Sequence, residues 1–210
     1  MTSLNLIKPN KENLNLCLLL GAVFFTLGIL LIILGVAMIV PVAFQLIYGE
    51  FDSTFIISSI ITITFGILFF LSNIDHLKSI NTQQAFLLTA LSWLAIATFG
   101  SLPFFFSKLN LSITDSFFES MSGITTTGAT ILSNIESSPK GILVWRSMLQ
   151  WLGGIGVILM AITLMPIMNI GGMQLLKISS YDTSEKILPK SKEISLRLIT
   201  VYTVSYTHLR

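Results

Sequence analysis

A long stretch without charge near the N-terminus limits the folds open to this chain more than any other feature. No Asp, Glu, Lys or Arg lies between Glu12 and Glu50, a run of 37 residues. A helix needs about 20 apolar residues to cross the roughly 30 Å hydrocarbon core of a bilayer, because it rises about 1.5 Å per residue. The run therefore predicts a membrane-spanning helix, which we place at Leu16–Val40 with Pro41 at its exit.

Three further uncharged runs predict three further spans, expected at 53–71, 84–106 and 143–168. A fifth apolar run begins near Ile194. The whole chain is 53% hydrophobic and 10% charged, whereas a soluble domain is usually about 25% charged. Pattern and composition together predict an all-α, multi-pass membrane protein whose spans contact the lipid bilayer.

The remaining composition excludes several classes of function. The net charge of +2 is too small and too scattered for a nucleic-acid surface, so no nucleic-acid partner is expected. The single cysteine, Cys17, rules out a disulfide framework. No catalytic dyad, activated nucleophile or cofactor motif is visible. The sequence therefore does not predict an enzyme.

The distribution of lysines predicts the orientation in the membrane. Two lysines precede the first span, and four lie between residues 169 and 193. Cytoplasmic segments carry an excess of Lys and Arg, so both regions are expected on the cytoplasmic side. The N-terminus is then cytoplasmic, and residues 107–141 face the outside.

The outward segment contains a predicted helix that is too short to cross a membrane. Residues 113–123, "ITDSFFESMSG", follow Ser112, which is spaced with Asp115 as in a capping box, and Thr114 is an alternative cap. Gly123 is expected to end the helix. Such a helix covers about half a bilayer, so the chain has to return to the side from which it entered.

The sequence that makes this return is "ITTTGAT", residues 124–130. Extended backbone at membrane depth is tolerated only where it is buried in protein or lines a water-filled cavity. Threonine hydroxyls and bare carbonyls are oxygen ligands that replace the water around a cation, as in potassium filters. The alternative is a polar outer loop preceded by a helix that lies on the membrane surface.

Several motifs in register make this arrangement more specific. "ITDSFFESMSGITTTGATI" followed by "WRSMLQWLGGIGVILMAITLMPIMNIGGMQLLK" resembles the TrkH family of membrane subunits from bacterial Trk potassium uptake systems, within the Trk/Ktr/HKT superfamily. The resemblance covers nearly the whole chain up to about residue 203. It implies a pore built from four M1–pore helix–M2 repeats in one chain, arranged around one channel, with two extra helices before the first repeat.

The resemblance also implies a role for each residue of the return strand. Thr126 and Thr127 would offer carbonyls to potassium, Gly128 and Ala129 would complete the strand, and Thr125 would contribute at the inner edge. Potassium is the transported ion and not a cofactor. The second filter glycine of potassium channels is missing here, so the sequence says less about the rejection of sodium.

Two charged residues are candidates for supporting this filter. Arg146 is expected either to bond the loop behind the filter or to pair with Glu119 or Glu136; its alternative role is that of an interfacial arginine that snorkels to water. Glu119 is expected either to attract cations at the mouth or to hold the helix in place by hydrogen bonds.

Two features of the fourth span have ordinary structural explanations. Trp145 fits an interfacial aromatic belt. The motif "WLGGIG", residues 151–156, follows no predicted strand, so it is not a dinucleotide fingerprint and is expected to allow close helix packing.

The predicted domain organisation follows from these assignments. Residues 1–78 form an N-terminal tail and the extra two-helix unit. Residues 79–176 form the first pore repeat, with M1 at 84–106, a pore helix at 113–123, a filter at 125–130 and M2 at 143–168. Residues 177–203 form a cytoplasmic loop and the start of a second repeat. The last seven residues, "VSYTHLR", break the apolar pattern and are expected to be non-native, the alternative being a genuine short C-terminus.

The resemblance implies a fragment of a potassium transport subunit in the bacterial inner membrane. It further implies that the full-length subunit forms a homodimer gated by a cytoplasmic ring of nucleotide-binding regulatory subunits. Two rivals stay open: a single-repeat cation channel subunit that tetramerises, and a membrane anchor or assembly protein that transports nothing.

Overall fold

The described part of the chain is helical and contains seven helices. The computed structural model describes residues 11–74, 82–133, 135 and 138–168, together with five positions between 197 and 204. The helices are α1 (Lys11–Ala37), α2 (Ile39–Tyr48), α3 (Thr54–Ser72), α4 (Thr82–Gly100), α5 (Leu102–Phe106), α6 (Ile113–Ile124) and α7 (Lys140–Met168).

Four stretches of the described residues are long and apolar enough to cross a membrane: Leu20–Tyr48, Thr54–Ser72, Gln84–Phe106 and Lys140–Ile158. The first span was predicted to end too early, at Val40, because the helical path continues past Pro41 to Tyr48. The chain breaks only briefly at Met38, and α2 starts at Ile39. Pro41 thus falls in the first turn of α2, where backbone N–H groups have no helical partner and proline is tolerated.

Glycines and small polar residues allow α1 and α3 to pack closely. A Cβ atom at Gly28 would lie 2.6 Å from the Phe70 amide nitrogen and 2.8 Å from the Gly66 carbonyl oxygen. Further along α1, the Ser59 hydroxyl donates to the Gly35 carbonyl oxygen at 2.7 Å. The two helices therefore meet backbone to backbone, as small residues permit in membranes.

The core of the second half is built around Trp145 of α7. Its side chain is fully buried, and its indole N–H donates to the carbonyl oxygen of Gly100 at 2.9 Å. Its ring meets Phe55 of α3 edge-on, with centroids 6.3 Å apart. The expected interfacial position of Trp145 is therefore wrong, because α3, α4 and α7 enclose the ring and supply its one polar partner.

Several predictions concern parts of the chain outside the described residues. These are most of the 73–83 loop, the whole 169–193 loop, Glu136, the fifth apolar run apart from a few helical positions, and residues 205–210.

The close crossing of α1 and α3 gives a first prediction. We expect Gly28→Ala to lower the stability of the full-length subunit by about 1–3 kcal/mol, because the added methyl group meets backbone that cannot move aside. Thermal unfolding in detergent measures the effect. Gly156→Ala is the matched control, since a Cβ there meets no described atom within 4 Å. Equal unfolding temperatures for both variants would contradict the prediction.

Candidate ion-filter site

The helix α6, which leads into the site, begins at the predicted cap. The Ser112 hydroxyl accepts a hydrogen bond from the Asp115 amide at 3.1 Å and donates one to the Asp115 carboxylate at 2.7 Å. Ser112, and not Thr114, is thus the N-cap. The 12 residues of α6 span about 18 Å, little more than half the hydrocarbon core.

The helix ends differently from the sequence prediction. It runs through Ile124, and the left-handed residue that closes it is Thr126, with φ of 58°. The Thr126 amide donates to the Gly123 carbonyl oxygen at 3.0 Å, and the Thr127 amide to that of Ser122 at 3.1 Å. This pair of bonds is a Schellman motif, a position where glycine is usual.

Gly123 serves another purpose, which is why the prediction that it ends α6 is wrong. It is buried against α7, and a Cβ there would lie 3.1 Å from the Cβ of Leu149. The contact at Gly153 of α7 is closer still, because a Cβ there would overlap the Ile124 carbonyl oxygen. The two glycines let the end of α6 rest directly on α7. The close packing predicted for the "WLGGIG" motif is confirmed at Gly153.

The strand after α6, residues 125–130, contains two residues with left-handed backbone conformation. Thr126 and Gly128 have φ of 58° and 78°, whereas Thr125 has φ of −79°. Positive φ is rare for a β-branched residue such as threonine and costs about 1–2 kcal/mol. Strain of this kind collects at functional sites.

The oxygens of the strand divide into two groups. Within the described part of the chain, no hydrogen-bond donor pairs with the carbonyls of Thr125, Thr126 or Thr127, and these residues are exposed. The hydroxyls of Thr125 and Thr127 bond each other at 2.8 Å. In contrast, the Ala129 carbonyl accepts from the Ser122 hydroxyl at 2.6 Å.

A buried carboxylate lies behind the strand. Glu119 of α6 has no exposed side-chain surface. Its Oε1 accepts hydrogen bonds from the Thr130 hydroxyl at 2.6 Å and from the Ile131 amide at 2.5 Å. One carboxylate oxygen therefore ties the far end of the strand to the helix that precedes it.

Arg146 of α7 completes this support. Its Nη2 donates to the carbonyl oxygens of Gly128 and Ala129, both at 3.1 Å. Its Nε lies 3.2 Å from Glu119 Oε2, but the N–H direction makes the contact an ion pair and not a hydrogen bond. Only 12% of the arginine side chain is exposed. Arg146 thus contacts the loop and Glu119, as two of its expected roles require, and does not snorkel.

The structure brings together all seven residues singled out from the sequence: Glu119, Thr125, Thr126, Thr127, Gly128, Ala129 and Arg146. Sequence reasoning gave no role to Ser122, whose hydroxyl bonds the Ala129 carbonyl, and it included Thr130 in the filter range without predicting its bond to Glu119. No local signal marks them, because a serine inside a helix and a threonine after one are common.

Comparison with known proteins identifies the family. The family model for TrkH, described as cation transport protein, matches residues 52–209, more than half of the chain. The chain belongs to the TrkH family.

Individual relatives agree with this assignment. This TrkH-family chain is 37% identical to the Trk system potassium uptake protein TrkI of Halomonas elongata, over 84% of the chain and 36% of the relative. It is also 37% identical to the Trk system potassium uptake protein TrkH of Escherichia coli K12, over 83% of the chain and 37% of the relative. The chain thus spans little more than a third of these relatives.

A solved structure shows the same fold. The crystal structure of the potassium transporter TrkH from Vibrio parahaemolyticus matches with a TM-score of 0.72 at 31% identity, covering 88% of this chain and 37% of that one. The similarity supports a multi-pass, all-helical membrane protein of this family.

The buried ion pair gives a second prediction. We expect Glu119→Gln to destabilise the full-length subunit by about 3–5 kcal/mol, because it leaves the arginine charge buried without a counter-ion. Lys108→Gln removes a cation whose side chain is 81% exposed, so it should change stability by less than about 1 kcal/mol. Thermal unfolding in detergent compares the two.

The double variant Glu119→Gln/Arg146→Gln provides the control for coupling. If the two residues act as a pair, it should be more stable than the sum of the single variants predicts. Additive losses would show that they act independently.

Proposed function

We propose that this chain supplies one quarter of the selectivity filter of a potassium-conducting subunit. Potassium would bind to the carbonyl oxygens of Thr125, Thr126 and Thr127 as it crosses the membrane. Gly128 gives the strand its conformation, and Ala129 anchors it to the protein. The ion is chosen because the relatives named above are potassium uptake proteins.

The observation that carries the proposal is the state of these three carbonyls. They follow a half-span helix, they belong to exposed residues, and within the described residues no donor satisfies them. An unsatisfied carbonyl at membrane depth costs several kcal/mol unless water or an ion reaches it. A cation pathway supplies both water and ions, and a dehydrated cation needs carbonyl oxygens as ligands.

Electrostatics favours a cation at the same place. The strand starts at the C-terminal end of α6, where the helix dipole is partly negative. The arginine and the carboxylate behind the strand pair with each other, so their charges largely cancel. Entry of one positive charge gains about 2.3 kcal/mol per 100 mV of membrane potential, which favours uptake of a cation.

The proposal extends to the full-length protein. Spans α1–α2 and α3 would be the extra two-helix unit, α4–α5 the M1 helix and α7 the M2 helix of the first repeat, and three more repeats would complete the pore. The N-terminus would be cytoplasmic in a bacterial inner membrane. A homodimer gated by a ring of nucleotide-binding regulatory subunits is the assembly that we propose.

Gly128→Ala tests the filter. At φ of 78° an alanine is strained, and a Cβ there meets only the Gln150 amide nitrogen, at 4.0 Å. We therefore expect a full-length protein that folds and reaches the membrane but loses at least about tenfold in potassium uptake at saturating concentration, since 1.4 kcal/mol corresponds to a factor of ten. The maximal rate of rubidium uptake by cells that lack other potassium transporters measures this loss.

Gly49→Ala is the matched control. Gly49 has φ of 70°, and a Cβ there would meet no described atom within 4 Å, so the substitution imposes a similar backbone strain at the turn after α2, outside the strand. Its maximal uptake should stay close to that of the wild type. Normal uptake by Gly128→Ala would instead favour a membrane anchor that transports nothing, and uptake by this 210-residue chain alone would favour a tetrameric single-repeat channel.

A further inference from the structure

The turn between α2 and α3 contacts the N-terminus of α7. Glu50, at this turn, accepts a hydrogen bond from the backbone N–H of Lys140 through Oε2 at 3.1 Å. Lys140 is the first residue of α7. A carboxylate at this position satisfies one of the free N–H groups of the helix and interacts favourably with the positive end of its dipole.

Packing next to Glu50 makes the contact more than a single hydrogen bond. Gln45 of α2 is 3% exposed and packs against Gly141. A Cβ at Gly141 would be 2.8 Å from Gln45 Cγ and 3.0 Å from Phe55 Cε2. One turn further, Phe55 packs on Trp145. The first two turns of α7 are thus held on one side by the N-terminal helices.

The same two turns carry the arginine that holds the filter strand. Arg146 lies six residues after Lys140, about 9 Å along the helix axis at 1.5 Å per residue. An α-helix transmits a displacement of its first turn over such a distance. The position of the guanidinium against the carbonyls of Gly128 and Ala129 therefore depends on where the start of α7 is held.

We infer that Glu50 is a positioning residue for the filter, acting through the N-terminus of α7 and Arg146. The N-terminal two-helix unit then influences ion binding, although none of the proposed ligand oxygens belongs to it. The inference rests on the proposed function. Loss of the Glu50–Lys140 contact would lower the fraction of molecules in which the strand can bind the ion. The apparent affinity for the ion would fall in the same proportion.

The test is Glu50→Ala in the full-length subunit, with rubidium uptake measured as a function of concentration. We expect KM to rise about twofold to fivefold at unchanged maximal rate, the range given by one exposed contact at a helix N-terminus. A purely structural role would lower the amount of folded protein, and so the maximal rate, at unchanged KM. Glu50→Gln keeps an acceptor oxygen but not the charge, so its KM should lie between those of the wild type and Glu50→Ala.

Two further variants make the result specific. Asp52→Ala removes the other acid of the turn, whose ion pair is with the exposed Lys108 at 3.9 Å, and it should leave KM unchanged. Gly141→Ala should raise KM as Glu50→Ala does, because its methyl group forces α2 and α3 away from α7, although alanine by itself favours a helix.

The outcomes separate the two proposals. An unchanged KM for Glu50→Ala, or an equal rise for Asp52→Ala, would overturn the positioning role while leaving the filter intact. A wild-type subunit that takes up no rubidium would instead overturn the proposed function.

Discussion

The Glu119–Arg146 pair is the interaction on which the rest of the site depends. A lone charge buried at membrane depth is costly, and the two side chains remove that cost only when held together. Each uses its remaining polar atoms on the strand: Glu119 accepts from Thr130 and Ile131, and Arg146 donates to Gly128 and Ala129. The strand is therefore fixed from behind, which leaves the threonine carbonyls before it without partners in the described structure.

This arrangement requires α6 and α7 to approach more closely than ordinary side chains allow. Gly123 and Gly153 provide the contact, and the indole of Trp145 fixes α7 against the carbonyl of Gly100 in α4. Glu50, at the turn between α2 and α3, holds the start of α7. The strand after α6 thus takes its shape from helices packed around glycine.

The sequence predicted the helices well because their signals are local. Absence of charge marked the four spans, and the spacing of Ser112 and Asp115 marked the start of α6. The errors have a common origin. Pro41, Gly123 and Trp145 were interpreted by their usual local roles as an exit, a helix stop and an interfacial anchor, whereas neighbours distant in sequence gave them other positions.

By itself, the sequence determined that this chain is a helical membrane protein with a half-span helix followed by a threonine–glycine strand, because hydrophobic length and capping depend on residues close together in the chain. It also supplied seven residues of the candidate site, although it gave no role to Ser122 or Thr130. Only the tertiary structure decided which of their oxygens are occupied and that Thr126, beside Gly128, adopts the left-handed conformation. Those properties depend on hydrogen bonds between α6, α7 and the strand, which form only when the helices pack.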